Sequence, residues 1–376
     1  MPTLIYLDNA ATTPPDPEIL AGMMERELSS FGNPSSKHTI GRAASRLLGS
    51  SRERLATLLD GNPSDLILTG GGTESNGMAC LGAAGETPAR IAISAVEHPS
   101  ITEAAAWLAH HRGWQVDLIP VDDTGRIQPE TLREKVGPDT RIVGMMLANN
   151  ELGTINDMAA LAQVVREVSP RAKVIVDAVQ AFAKMPFSVR TLGADCVSIA
   201  AHKLHGPKGI GALWTRTALQ PVFKGGGQEA GIRGGTQCAA LTWAFAEASE
   251  RQVASMTHVT QLRNRLWENI QARIPDVILN GAPMGEGRLG NNINICIPGI
   301  PSEPLVNALS GVDVCVSSGS ACGKGKFSKT LEAIGRRDND GAFLRLSPGR
   351  FNTEDEMDAA AERLMSAIQD LRSVYG

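Results

Sequence analysis

KVIVDAVQAFAKMPFSVRTLGADCVSIAAHK, residues 173–203, holds two short apolar runs, and each ends on polar side chains. The first run delivers Asp177 and Gln180; the second delivers His202 and Lys203. Short apolar runs of this kind read as strands buried on both faces of a parallel sheet. The pattern recurs outward in DLILTGGG (65–72), RIAISAV (90–96) and RIVGMMLA (141–148), with helical segments ITEAAAWLAHHR (101–112) and DMAALAQVVREV (157–168) separating them. Such alternation predicts an α/β fold. Ligands gather at the carboxyl ends of the strands in these sheets. That singles out His98 just after RIAISAV, together with Asn149 and Asn150 in LANNELG, Asp177, Gln180, His202 and Lys203.

The chain has 376 residues, 42% hydrophobic and 20% charged, the balance of an ordinary globular protein with room for two domains. A net charge of -4 gives no global basic field for nucleic acid or an anionic membrane. The opening MPTLIYLDNAATTPPDP lacks a cationic segment followed by an apolar run, and no later stretch approaches a membrane span, so a cytoplasmic protein is expected. The six cysteines, at 80, 196, 238, 296, 315 and 322, form no CxxC pair and are expected as free thiols, with no metal site.

Beyond FKGGGQEAGIRGGT (223–236) the pattern changes to a long amphipathic helix with Val259, Leu262, Leu266 and Ile270 on one face. The expected division is a large domain over 16–254 and a smaller one built from 1–15 plus 255–376. A closing helix should begin at a capping box, Thr353 to Glu356, and turn Met357, Leu364, Ile368 and Leu371 toward the core.

LTGGGTESNG (68–77) places Gly72 and Thr73 between a strand and a helix start, where free N–H groups and the positive helix end favour a phosphate. Taken alone, the glycines describe a plain tight turn equally well. A strand-end lysine is usually solvated. Lys203, however, leaves an apolar strand beside His202 and before the return GPKGIGAL, which points its amine into a crevice and suits it to form a Schiff base. A phosphate cradle, a Schiff-base lysine and an acid able to hold a pyridinium proton together specify pyridoxal 5'-phosphate. Asp177 is the natural pyridinium partner, with His98 against the ring face and Gln180 on the phenolic oxygen.

A further stretch, VSSGSACGKGKFSKTL (316–331), sets Cys322 among glycines, serines and lysines, a setting for a reactive thiol more than for a core one. With YLDNAATTP, FGNPSSKH, TGGGTESN, VEHPS, NNELG, VDAVQ, AAHKLHGPKGIG, GIRGGT, SSGSAC and RLSPGRFNTEDE in order, the chain resembles the NifS/IscS-type cysteine desulfurases over essentially its whole length. These are class V members of the fold-type I pyridoxal-phosphate enzymes, with a large, mainly parallel-sheet domain and a smaller α+β C-terminal domain.

The resemblance implies that Lys203 carries the cofactor, Asp177 pairs its ring nitrogen, His98 stacks on the ring, Gln180 contacts its oxygen, and Thr73 and His202 bind phosphate. Thr236 would reach the cofactor of a neighbouring subunit, which implies a homodimer. Asn150 and Arg350 would hold the substrate carboxylate, Lys203 or His98 would shift protons, and Cys322 would take sulfur from L-cysteine, leaving alanine and a persulfide for a sulfur-acceptor protein. Lys324 and Lys326 are expected to lower the Cys322 thiol. Ala200 departs from the serine usual two residues before the histidine, and GKGKFSK departs from the usual continuation after the cysteine. Selenocysteine lyase, another class V reaction or a non-catalytic scaffold are the competing readings. The destination of the sulfur, whether iron-sulfur assembly, tRNA thiolation or DNA phosphorothioation, stays open, and direct nucleic-acid binding is not expected.

Overall fold

A computed structural model describes residues 4–318 and 327–375. Strand β1 (Ile5–Tyr6) leads into helices α1 (Pro17–Ser29) and α2 (Thr39–Leu58). Strands and helices then alternate through β2 (Leu66–Thr69), α3 (Gly72–Ala83), β3 (Arg90–Ser94), α4 (Pro99–Arg112), β4 (Gln115–Ile119), α5 (Pro129–Lys135), β5 (Thr140–Met146), α6 (Met158–Val168) and β6 (Lys173–Asp177). Strands β7 (Cys196–Ala200) and β8 (Gly211–Thr215) follow, then α7 (Ala239–Ala254) and α8 (Met256–Arg273). The chain finishes with β9 (Ile278–Leu279), β10 (Ile293–Ile297), α9 (Ser302–Gly311), β11 (Val314–Cys315), α10 (Lys329–Ala333), β12 (Ala342–Leu346) and α11 (Glu354–Tyr375).

A seven-stranded sheet runs in the order β2-β8-β7-β6-β5-β3-β4. The pairs from β7 to β4 are parallel, and β8 runs against both β7 and β2. The return after Lys203 is therefore the β7–β8 hairpin anticipated from GPKGIGAL. Side chains alternate between two covered faces, which is why the runs are apolar throughout. Ile91, Ile93, Ile142, Ile175 and Cys196 pack with residues of α3 and α4. Their neighbours Ala92, Val143, Val174, Val176 and Val197 pack with α2, α6 and α7.

A separate apolar cluster gathers β10, β12, α8, α9 and α11 with Ile5 and Leu7. β1 pairs in parallel with β11, Ile5 opposite Val314, and Asp8 bridges to Ser347, so the first residues lie with the last. Val259, Leu262, Leu266 and Ile270 are buried as the helical spacing requires. The capping box closes reciprocally: the Thr353 N–H donates to Glu356 Oε2 at 3.1 Å, and the Glu356 N–H donates to Thr353 Oγ1 at 3.2 Å. Met357, Leu364 and Ile368 are buried beneath it, with Leu371 packed partly buried beside them.

The segment 13–16 is laced to the loop after β7. The Asp16 N–H donates to the His205 carbonyl at 2.9 Å, and His205 Nδ1 donates to the Pro14 carbonyl at 2.8 Å. His205 Nε2 accepts the Arg350 N–H at 3.4 Å, so both ring nitrogens are engaged and the ring is neutral. Burial pushes its pKa down to about 4 from 6.5. Below pH 6.5 the unfolded chain binds this proton and the folded chain does not, so stability falls with pH across that window. The expected loss is on the order of 2 to 3 kcal/mol for His205 between pH 6.5 and 4. Urea midpoints measured from pH 7 to 4 should therefore fall less steeply in His205→Asn, whose amide can still donate to Pro14. An unchanged slope would assign the effect to other groups.

Candidate active site

A cavity of about 1470 Å³ opens where the parallel strands end. Its wall brings together Gly72, Thr73, His98, Asn150, Asp177, Gln180, His202 and Lys203, and adds Ala10, Ala11 and Thr12 from the N-terminal segment. Residues distant in sequence meet here because neighbouring parallel strands all present their carboxyl ends to one edge.

Lys203 follows β7, and its Nζ donates to the carbonyls of Ala10 at 2.8 Å and Ala11 at 2.6 Å. Burial, reinforced by the Arg345 cation and opposed by Asp177 and Asp8, lowers its pKa to about 8. The neutral amine is thus within reach near physiological pH. Beside it, His202 Nδ1 lies 3.2 Å from Thr12 Oγ1, and burial with the neighbouring Lys203 charge lowers this imidazole to about 4.

Asp177 ends β6 and is buried. One oxygen accepts the Val179 N–H at 2.9 Å, and the other accepts from Asn76 Nδ2 at 2.7 Å. Gln180 Nε2 donates to the Ala10 carbonyl at 2.9 Å, while its oxygen accepts from Lys184 Nζ at 3.3 Å. Burial lowers Lys184 to about 7. This contact orients the Gln180 amide, so that its nitrogen and not its oxygen faces the Ala10 side.

At the start of α3 the first peptide N–H groups have no acceptor within the helix, and the backbone there comes close to its neighbours. A Cβ on Gly72 would stand 2.7 Å from Val179 Cγ2, so this wall of the cradle needs glycine. Ala200 Cβ lies 3.7 Å from that same position and brings a methyl group to the cradle where a serine would bring a hydroxyl. Glu74 crosses the rim: one oxygen accepts the Gly70 N–H at 2.7 Å, and the other accepts from Arg233 Nε at 2.9 Å.

Pyridoxal phosphate suits this donor set. A lysine of lowered pKa, a buried carboxylate and a helix N-terminus face one cavity, whose volume exceeds that needed for the cofactor and a small amino acid.

Arg350 is placed apart from the other expected site residues. Its side chain is not on the cavity wall; it is buried against Asp16, with which it forms an ion pair, and its ring neighbour is Phe351. Arg345, in β12, does line the cavity. Arg345 Nη2 donates to Asp8 Oδ1 at 2.7 Å, Nη1 donates to the Asn150 carbonyl at 3.0 Å, and buried Nε has no partner among the described residues. Strand pleat explains the difference: β12 aims Arg345 at the site, whereas the turn after the strand carries Arg350 toward α1. A charged residue inside the apolar run AFLRL (342–346) was the sequence signal for it.

Asn149 proves structural. Its oxygen accepts the N–H groups of Glu151 and Leu152, both at 2.8 Å, and Gly153 closes the turn at φ +74°. Thr236 is exposed and does not line this cavity, although Arg233 of the same loop does. Cys322, Lys324 and Lys326 lie outside the described residues. The cavity also contains residues that motif reading passed over. Glu97 Oε1 accepts from Ser94 Oγ at 2.6 Å and from the Met146 N–H at 2.7 Å, and burial pushes its pKa up to about 8. Glu151 accepts from Ser328 Oγ at 2.5 Å, and burial raises its pKa as well.

Residues 5–360 match the Aminotransferase class-V family. A cysteine desulfurase IscS 1 of Archaeoglobus fulgidus is 34% identical over 381 residues, covering 98% of each chain. Among solved structures, a NifS-like protein superposes with a TM-score of 0.90 at 32% identity, covering 98% of this chain and 100% of its own. SspA in complex with cysteine superposes at 0.81 with 28% identity, covering 93% of this chain and all of the SspA chain. With the match running from β1 into α11, the chain belongs to the class-V aminotransferase family.

Proposed function

We propose that this protein is a pyridoxal-phosphate-dependent cysteine desulfurase. The observation that carries the reading is the convergence of Lys203, lowered to about 8, with Asp177, His98 and the buried Arg345 in one cavity. The relatives named as cysteine desulfurases and the cysteine-bound SspA support it.

Gly72, Thr73 and His202 would hold the phosphate, Asp177 the ring nitrogen, Gln180 the phenolic oxygen, and Lys203 the aldehyde carbon. Bound there, the cofactor supplies an electron sink conjugated to the substrate α-carbon. Arg345 takes the substrate carboxylate, the role first given to Arg350, and the Asn150 carbonyl holds the guanidinium in place. Lys203 moves protons at its Nζ. The Cys322 thiolate attacks the sulfur of bound L-cysteine: an S–S bond forms, the C–S bond breaks, and its electron pair stays with the carbon fragment, which leaves as alanine after taking a proton. The persulfide then serves a sulfur-acceptor protein. The exposed Thr236, on a loop that also supplies Arg233 to the cavity rim, supports a homodimer with shared sites. No described helix is long and apolar enough to cross a membrane.

Alanine and sulfide released from L-cysteine in the presence of a thiol reductant test this reading. Equal amounts are expected from the protein, and loss of both from Cys322→Ser with the cofactor still bound. Sulfide release at the original rate from Cys322→Ser would overturn the assignment of the nucleophile. Turnover of L-selenocysteine with none of L-cysteine would overturn the substrate.

A further inference from the structure

Asn76, in α3, is buried, and its carboxamide oxygen has no hydrogen-bond partner among the described residues. An orphaned buried oxygen is costly and persists where the other half of the amide is needed. Both Nδ2 hydrogens are used: one goes to Asp177 Oδ2 at 2.7 Å and the other to Ser100 Oγ at 2.9 Å. Turning the amide over would set its oxygen against the Asp177 carboxylate, so its orientation is determined.

The chain of contacts continues to His98. Ser100 Oγ, having accepted from Asn76, lies 2.8 Å from His98 Nδ1. His98 is also the residue that caps α4, and its Nδ1 accepts the Ser100 peptide N–H at 3.1 Å. A peptide N–H can only donate, so Nδ1 carries no proton, and the Ser100 hydroxyl hydrogen is directed to the same nitrogen. The proton of the neutral ring is therefore on Nε2. The positive end of α4 disfavours a second proton. Burial and Lys203 act in the same direction, against Asp177.

We propose that Asn76 and Ser100 form one positioning unit between Asp177 and His98, holding His98 as the Nε2–H tautomer so that it serves the cavity as a hydrogen-bond donor and leaves Lys203 as the base. The role in turnover rests on the desulfurase reading; the tautomer does not. Sequence analysis alone left the proton shifts open between Lys203 and His98. Asp177 and His98 would then be oriented by one amide rather than independently.

The test is nitrogen NMR of the holoenzyme labelled with 15N-histidine, with the His98 signals assigned by their loss in His98→Gln. An unprotonated Nδ1 and a protonated Nε2 are expected. The opposite tautomer, or an imidazolium, at neutral pH overturns the proposal. In Asn76→Ala the Ser100 hydroxyl is released and its hydrogen bond to Nδ1 weakens while the capping peptide N–H stays, so the Nδ1 signal should move further from the protonated range; an unmoved signal removes Asn76 from the unit. Should that variant fail to fold, Ser100→Ala gives the same reading with the capping peptide N–H intact. A glutamine at 98 keeps an N–H donor but has no basic lone pair. His98→Gln should retain turnover within about tenfold, and His98→Leu should lose about a hundredfold or more. Equal losses in the two would show that a base is missing. If the holoenzyme releases no alanine from L-cysteine, the desulfurase reading fails while the tautomer result stands on its own.

Discussion

Lys203→Ala should end alanine and sulfide release from L-cysteine, a loss of about 10⁴-fold or more, and abolish the visible absorption that the protein gains with pyridoxal phosphate. Two roles go with one amine, covalent retention of the cofactor and proton movement at the α-carbon. Among the described residues no neighbour replaces it. Lys184 is buried nearby but is directed to Gln180 Oε1 at 3.3 Å and does not line the cavity, while Lys208 and Lys329 line it from exposed positions where the ammonium stays hydrated. Only the neutral amine is nucleophilic, and Lys203 is lowered to about 8. The rate of cofactor uptake by the apo-protein should therefore rise with pH and level off above about 8. Stopped-flow absorbance measures it. A rate independent of pH between 6 and 9 would show that the Lys203 proton does not limit uptake.

Arg345→Leu should raise KM for L-cysteine roughly a hundredfold or more, because a carboxylate held by a planar guanidinium fork loses charge-assisted hydrogen bonds. The same variant carries a second signature. The Arg345 cation helps to depress Lys203, so its removal stabilises the ammonium and moves the cofactor-uptake midpoint upward in pH. Arg350→Leu is the informative contrast. Its guanidinium is buried against Asp16, which also pairs with Arg251 at 3.1 Å, so the expected cost is stability, about 2 to 3 kcal/mol, with KM little changed. Steady-state kinetics and urea denaturation on the two variants separate the roles. A large KM effect from Arg350→Leu with none from Arg345→Leu would return the carboxylate to Arg350.

Individual residues show why some of this was legible before any coordinates. Lys203, Asp177 and His98 follow apolar strands directly, and in a parallel sheet the end of a strand is already a position in space. Arg345 and Arg350 sit five apart in one motif, and nothing in their spacing says which faces the cavity; the pleat of β12 decided it. Asn76 and Ser100 were invisible for another reason. One lies within a helix and the other in the first turn of the next, and only the packing of α3 beside α4 brings them within 2.9 Å. The N-terminal segment was named in the motif series, but that its Ala10 and Ala11 carbonyls would receive the Lys203 amine depended on the β1–β11 pairing and the bridge from Asp8 to Ser347.

Periodicity and punctuation are local properties: an apolar run, its end and the capping box at Thr353 are set by neighbours a few residues away, so the α/β class, the strand ends and the helix starts could be read from the chain alone. The choice between two nearby arginines, the amide that joins Asp177 to Ser100 and His98, and the depression of Lys203 all depend on groups far apart in sequence. Burial and charge act through space, and only the packed tertiary structure determines which of those groups meet.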